Sequence, residues 1–312
     1  MLNLSEIEQA RLRIDSYIHN SPVLTNSTLN KITESELYFK CENFQKSGSF
    51  KIRGAVNAVL QLMPDELNSG IVTASSGNHG AALSMIASKL GLQIKVVMPK
   101  NTSKIKIDNV KRNGGEIVWC DSNQKSRDEI LNEVIKKTQS ILIHPYNNKH
   151  IIAGQGTVAL ELMEKYTDLD CVISPISGGG LLSGTICSIK GMNTKTIVYG
   201  AEPVEADDAY RSILSGKIEI NDTTNTICDG LRAQLGSITF PIIKKGVEEI
   251  FTLDENEIKY SMRLIWETMK IIVEPSCSIT LAAVLKNKKI FKGKKIGLIL
   301  SGGNVDLDDL PW

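Results

Sequence analysis

Gly70-Ile71-Val72-Thr73-Ala74-Ser75-Ser76-Gly77-Asn78-His79-Gly80 is a β-branched run, then a cluster of small polar residues, then the opening of an apolar helical pattern that Gly91 stops. β-Branched residues favour strands, while Ser, Gly and Asn favour turns and helix N-termini. The stretch therefore reads as strand 70–74, a tight turn, and helix 79–90. The alternation continues outward. Residues 94–99 are a second strand, followed by a helix opening near Thr102-Ser103 and closing before Gly114-Gly115. Residues 117–120 are a strand, 126–138 a helix, and 141–144 a strand again. Further apolar runs at 171–176, 196–200 and 296–300 read as buried strands of the same kind. Strands separated by helices of this length demand right-handed crossovers and a parallel sheet. The expected class is α/β with two doubly wound parallel-sheet lobes, a small domain over 70–147 and a larger one from 1–69 and 148–312.

Composition narrows the chemistry. The 312 residues exceed a usual single core, and 42% hydrophobic residues are enough to fill more than one. Lys and Arg number 36 against 35 Asp and Glu, for a net charge of +1. No basic face is signalled for nucleic acid or an anionic membrane, so a small-molecule partner is expected. No apolar run approaches a bilayer span, and Met1-Leu2-Asn3-Leu4-Ser5-Glu6 reads as a capped helix rather than a signal peptide, so a cytoplasmic location is expected. Cys41, Cys120, Cys171, Cys187, Cys228 and Cys277 lack any C-x-x-C pair and read as buried, reduced thiols. Four histidines away from any cysteine cluster argue against zinc.

Ligands of open parallel sheets bind beyond the carboxyl ends of the strands, so the loops there hold the candidates. The first is Ser75 to Gly80, where Ser75 or Ser76 could also serve simply as a helix cap. The second is Ser177-Gly178-Gly179-Gly180-Leu181-Leu182-Ser183-Gly184, three glycines opening a helix. Their N–H groups and the helix dipole make a cradle for a phosphate. The Gly-Lys-Ser/Thr ending of a nucleotide P-loop is absent. The third is Ser301-Gly302-Gly303-Asn304. To these is added Ser47-Gly48-Ser49-Phe50-Lys51-Ile52-Arg53-Gly54, where small neighbours let a flat group approach and a desolvated Lys51 could attack a carbonyl. That octapeptide alone equally suits a solvated loop lysine.

The four segments, in this order, resemble the fold type II pyridoxal-phosphate enzymes, the tryptophan synthase β-like group, and within them the serine/threonine dehydratases and serine racemases. The resemblance extends over almost the whole chain and makes the larger domain the cofactor-binding one. It implies pyridoxal 5'-phosphate bound to Lys51 as a Schiff base, with Phe50 packed on the ring. It implies Asn78 at the phenolic oxygen, Ser177, Gly178, Gly179, Gly180 and Leu181 around the phosphate, and Ser301 at the pyridine nitrogen. Gly230 lines the ring, and Glu274 in Val273-Glu274-Pro275-Ser276 matches a position near the cofactor; a buried carboxylate capping a turn explains it as well. Ser75, Ser76, Asn78, His79 and Arg127 form the implied substrate set. A hydroxyl at Ser301 cannot hold the ring nitrogen protonated as a carboxylate would, which suits β-elimination over transamination.

The resemblance implies that Lys51 removes the α-proton from one face. Ser76 stands where racemase-like members return a proton on the other, though it could merely cap the helix. Tyr146 and Ala233 replace the asparagine and serine of mammalian-type racemases, and a tyrosine after His144-Pro145 is more like the dehydratases, including those acting on 3-hydroxyaspartate. The expectation is elimination of water and ammonia from threonine or serine first, with serine racemisation or 3-hydroxyaspartate dehydration as the alternative. Glu202-Pro203-Val204-Glu205-Ala206-Asp207-Asp208 offers hard oxygen ligands. The racemase-like pattern implies Mg²⁺ or Ca²⁺ on Glu202, the Ala206 carbonyl and Asp208, whereas the residues alone suit a solvated acidic helix start. A cysteine-synthase-like enzyme fits poorly, because Ile52-Arg53-Gly54 follows Lys51 where Asp-Arg is usual. A non-catalytic scaffold is expected to lose Lys51, Asn78 or the glycine loop, and none is lost. The appended regulatory domain of biosynthetic threonine dehydratases is not expected after Trp312. A homodimer is.

Overall fold

The computed structural model describes residues 2–75 and 77–312, without the side chains of Asp65 and Gln124. Ten strands build two sheets: β1 Val23–Leu24, β2 Glu36–Cys41, β3 Ile71–Ala74, β4 Ile94–Pro99, β5 Glu116–Cys120, β6 Ile141–Leu142, β7 Cys171–Pro175, β8 Ile197–Pro203, β9 Ile250–Leu253 and β10 Lys295–Leu300. The larger sheet runs β1-β2-β10-β7-β8-β9 and the smaller β5-β4-β3-β6. Every pairing is parallel except β1 on β2.

Both faces of each sheet are covered, as the apolar runs require. On β10, Ile296, Leu298 and Leu300 face one core with Leu281 and Phe291, while Ile299 faces another with Leu182 and Ile7. In the smaller sheet Ile71 and Val96 turn toward Ile52 and Val56, and Val72 and Val97 toward Val134. Ile52 and Val56 belong to the helix Lys51–Val59, so the helix that carries Lys51 packs its apolar side into the core of the smaller sheet. Its other neighbour is the helix Lys149–Lys165, capped by Asn148, which accepts from His150 N at 2.8 Å. Gly154 of that helix has no room for a Cβ, which would lie 2.6 Å from the Arg53 carbonyl oxygen.

The first helix, Leu4–Ile14, opens on a capping box between Asn3 and Glu6. The six cysteines are all buried and unpaired. The strand read at 141–144 stops at Leu142, because Pro145 has no N–H and the His144 ring takes the next two amides, accepting from Tyr146 N at 3.3 Å and Asn147 N at 2.9 Å. Strand β8 runs on to Pro203, three residues past its expected end, paired with β9. Among the described residues no helix is long and apolar enough to cross a membrane.

Candidate active site

The turns after β3, β7 and β10 lie at the carboxyl ends of parallel strands, and the segment before Lys51 is stitched to one of them. Ser49 pairs with Gly302 in an antiparallel bridge, and Phe50 N donates to the Ser301 carbonyl at 3.0 Å. The chain reverses here through Ser47 (φ 67°) and Gly48 (φ +72°), the serine being held in a left-handed conformation that serine rarely adopts. Asn304 anchors this turn by donating to the Ser47 carbonyl at 2.8 Å.

Lys51 opens its helix and is half-buried. Its Nζ donates to the Pro145 carbonyl at 3.1 Å and lies 5.1 Å from the centre of the Phe50 ring. Burial brings its pKa down to about 8, against a smaller opposing pull from Glu274. About one such amine in ten is thus unprotonated at pH 7, against fewer than about one in a thousand at the ordinary value. Two histidines share the neighbourhood. Burial and then the charge of Lys51 push His79 well below the usual imidazole range, and the same two causes bring His144 down to about 4. His79 Nε2 lies 3.3 Å from the Ile143 carbonyl, and its Nδ1 is buried without a partner.

Glu274, 2% exposed, acts on Lys51 through its charge. One carboxylate oxygen accepts from Asn78 Nδ2 at 2.8 Å and the other is buried without a partner. Burial raises Glu274 to about 7. Asn78 is held at both ends of its amide, its Oδ1 accepting from Asn304 at 2.9 Å. The Ser75 hydroxyl accepts from Gly77 N at 3.2 Å and Gly80 N at 3.1 Å, so it closes the turn and caps the helix Asn78–Lys89. Ser76 lies outside the described residues. Gly230 N donates to Ser276 Oγ at 3.0 Å. Arg127 has its Nε buried without a partner, and its charge acts on Tyr146.

The glycine loop ends β7 and opens the helix Gly180–Gly191, whose first N–H groups have no partner within the helix. Gly179 sits at φ +86°, and a Cβ on Gly178 would lie 2.3 Å from Cγ of the Tyr146 ring. That ring stacks edge-on against His144 at 4.6 Å, and its hydroxyl is pushed up to about 12, mainly by burial. The Ser177 hydroxyl accepts from Ala233 N at 3.1 Å. A buried amine with a lowered pKa, a glycine loop at a helix N-terminus and a β10 end bearing Ser301 fit a phosphorylated aldehyde cofactor.

Away from this cleft, Glu202 and Asp208 are 1% and 2% exposed. Glu202 accepts from Tyr210 N at 2.6 Å, and Asp208 from Asn221 at 2.7 Å and Leu235 N at 3.2 Å. Burial raises Glu202 well above the carboxylate range and Asp208 to about 6, and Asp208 adds repulsion at Glu202. Two buried carboxylates repelling one another, with Ala206 buried between them in sequence, suit a hard cation. Among the described residues no group of three or more His, Cys, Asp or Glu side chains is placed to hold a metal.

Sequence reasoning passed over three residues of the cleft. In the sequence His144 marks only a strand end and a dipeptide, while Lys106 and Asp229 carry no signal beyond their charge.

The fold and cleft define a pyridoxal-phosphate enzyme of fold type II. The chain belongs to the family of pyridoxal-phosphate dependent enzymes, which it matches over residues 14–302. It is 48% identical over 315 residues to a serine racemase of Dictyostelium discoideum, covering 99% of this chain and 97% of the relative. It is 45% identical over 303 residues to a β-hydroxyaspartate dehydratase of Paracoccus denitrificans (strain Pd 1222), covering 97% of this chain and 96% of the relative. The structure of maize serine racemase superposes with a TM-score of 0.96 at 42% identity, covering 98% of this chain and 94% of the other. These relatives favour the alternative, serine racemisation or 3-hydroxyaspartate dehydration, over the first expectation of dehydration of threonine or serine.

Proposed function

We propose that this protein acts on serine, interconverting its enantiomers and eliminating water from it as a second outcome. One observation carries the reading: the Lys51 amine, unprotonated to a useful degree and donating to the Pro145 carbonyl, stands where the turns after β3 and β10 meet, in a chain nearly half identical to a serine racemase.

Bound pyridoxal phosphate supplies the electron sink that loosens the bonds at an amino-acid α-carbon. The glycine loop from Ser177 to Leu181 binds the phosphate through amides at a helix N-terminus. Phe50 and Gly230 would help hold the ring, and Ser301 would offer its nitrogen a hydroxyl rather than a charge. The Lys51 amine takes the α-proton. Ser75, Asn78 and the helix they open bind the substrate carboxylate, with Arg127 and a neutral His79 around it. By the resemblance to racemase-like members, Ser76 is assigned as the acid that returns the proton, and its presence in the sequence keeps racemisation open. Racemisation returns the proton on the opposite face; elimination loses the β-hydroxyl as water, and the product hydrolyses to pyruvate and ammonia.

A second reading, dehydration of 3-hydroxyaspartate, is favoured by Tyr146. Its ring covers Gly178 where the mammalian-type racemases have a smaller asparagine, and the Paracoccus relative is 45% identical. We further propose that Glu202, the Ala206 carbonyl and Asp208 hold Mg²⁺ or Ca²⁺, that residues 70–147 form the small domain, and that the chain assembles as a homodimer.

The test supplies purified, cofactor-loaded protein and Mg²⁺ with L-serine, and separately with 3-hydroxyaspartate, following D-serine, pyruvate, oxaloacetate and ammonia, with Lys51→Ala as control. D-serine at a rate comparable to pyruvate supports the first reading, and its loss in Ser76→Ala assigns the second acid. Ammonia from 3-hydroxyaspartate with no D-serine moves the assignment to the second reading. A chelator that leaves the melting temperature unchanged removes the metal from the account.

A further inference from the structure

Lys106 lies on the helix Lys104–Arg112, beside the smaller sheet, and its side chain is only 5% exposed. A buried ammonium is unfavourable unless an opposite charge meets it. Here that charge comes from 123 residues away: Nζ forms an ion pair with Asp229, in the turn Asp229–Leu231 that also presents Gly230. The lysine stem runs across Gly77, where an added Cβ would lie 2.8 Å from Cδ and 3.3 Å from Nζ. The turn after β3 is therefore pinned beneath it. Its charge also acts on Glu274. Burial opposes ionisation of Glu274, and Lys106 is the strongest of the groups favouring it, ahead of the Asn78 hydrogen bond and of Lys51, while Asp229 opposes it.

We infer that Lys106 is a positioning residue of the cleft: held by Asp229, it clamps Gly77, at the opening of the helix Asn78–Lys89, against the 229–231 turn. The clamp joins a helix beside one sheet to a turn beside the other, so it sets how closely the substrate-side turn approaches Lys51. Lys106 itself takes no proton and touches no reacting atom in this account. The inference rests on the reading of the cleft as the active site, but its test needs no substrate.

Lys106→Met keeps the stem over Gly77 and removes the charge. Amide hydrogen exchange, measured on the full chain with and without pyridoxal phosphate, is expected to speed up about tenfold or more at residues 77–80 and 229–231, the weight of one charge-assisted bond. Asp229→Asn, which removes the more exposed partner and guards against a misfolded lysine variant, should give the same pattern, and the double variant should be no faster than either single one. Lys106→Arg should restore most of the protection. Where turnover is available, KM should rise in Lys106→Met with a smaller change in kcat. Wild-type exchange at both turns in both single variants would overturn the inference, as would single-variant effects that simply add. Failure to find a substrate would count against the proposed function while leaving the exchange result intact.

Discussion

Lys51 and Arg53 leave the same helix two positions apart, and their surroundings are opposites. Arg53 is fully buried, and every arm of its guanidinium is met: Glu42 at 2.7 and 2.8 Å, Glu161 at 2.6 and 2.8 Å, and Thr157 at 3.1 Å. Lys40 closes the group, donating to Glu161 at 2.6 Å and the Ser21 carbonyl at 2.7 Å. Two cations thus balance two carboxylates. Burial would depress Arg53, yet Glu42 and Glu161 hold it above its usual value. In the cleft, Lys51 has one carbonyl, Glu274 has an oxygen with no partner, and His79 has a ring nitrogen with none. Buried charge that is fully paired is scaffold; buried charge left short of partners is where a ligand can be received.

The sharpest break is Lys51→Ala. It should remove turnover by roughly 10²–10⁴-fold or more, as loss of a proton-transferring group does, and abolish covalent attachment of pyridoxal phosphate. Stability should change by less than about 1 kcal/mol, since one hydrogen bond is lost. Arg53→Met inverts the pattern. Stranding Glu42 and Glu161 should cost about 3–5 kcal/mol in urea unfolding. A mild Arg53→Met would erase the distinction between the regions.

The histidines sharpen it through pH. His144 is held near 4 when folded against an ordinary 6.5, and His79 lies well below 6.5 too. At these two sites the unfolded chain binds more protons than the folded one between those values, so they contribute a slope in which stability falls as pH drops from 6.5 toward 4, against the opposite slope of the raised carboxyls Glu274, Asp208 and Glu202. His144→Gln should flatten that slope relative to the parent protein, and an unchanged slope would mean that the ring is not buried neutral. The smallest effect is expected at the exposed pair Lys125–Glu129, 3.9 Å apart, where Lys125→Ala should change stability by less than about 0.5 kcal/mol.

What the sequence made legible follows from how local each signal is. The strands at 70–74, 171–176 and 296–300 are dense apolar runs followed by small residues, so both the strands and the turns that carry Ser75, Ser177 and Ser301 could be read directly. The strand Glu36–Cys41 escaped notice because Lys40 interrupts its apolar pattern, and only the buried partners Glu161 and Ser21 make a lysine acceptable there. Arg53 read as part of a motif, not as the centre of a charge network, because Glu161 is 108 residues away. Lys106 and Asp229 were invisible for the same reason. The acidic segment at 202–208 showed its carboxylates in sequence, but not that two of them are buried and repel one another.

The account turns on Lys51 being the amine that the cleft leaves reactive. The direct measurement is capture of pyridoxal phosphate by the cofactor-free protein across pH 6 to 11, trapped by borohydride and mapped by peptide mass spectrometry. The account predicts one adduct, on Lys51, with a capture rate that rises through a midpoint near pH 8. Labelling spread over surface lysines, or a Lys51 midpoint near the ordinary 10.5, would contradict it.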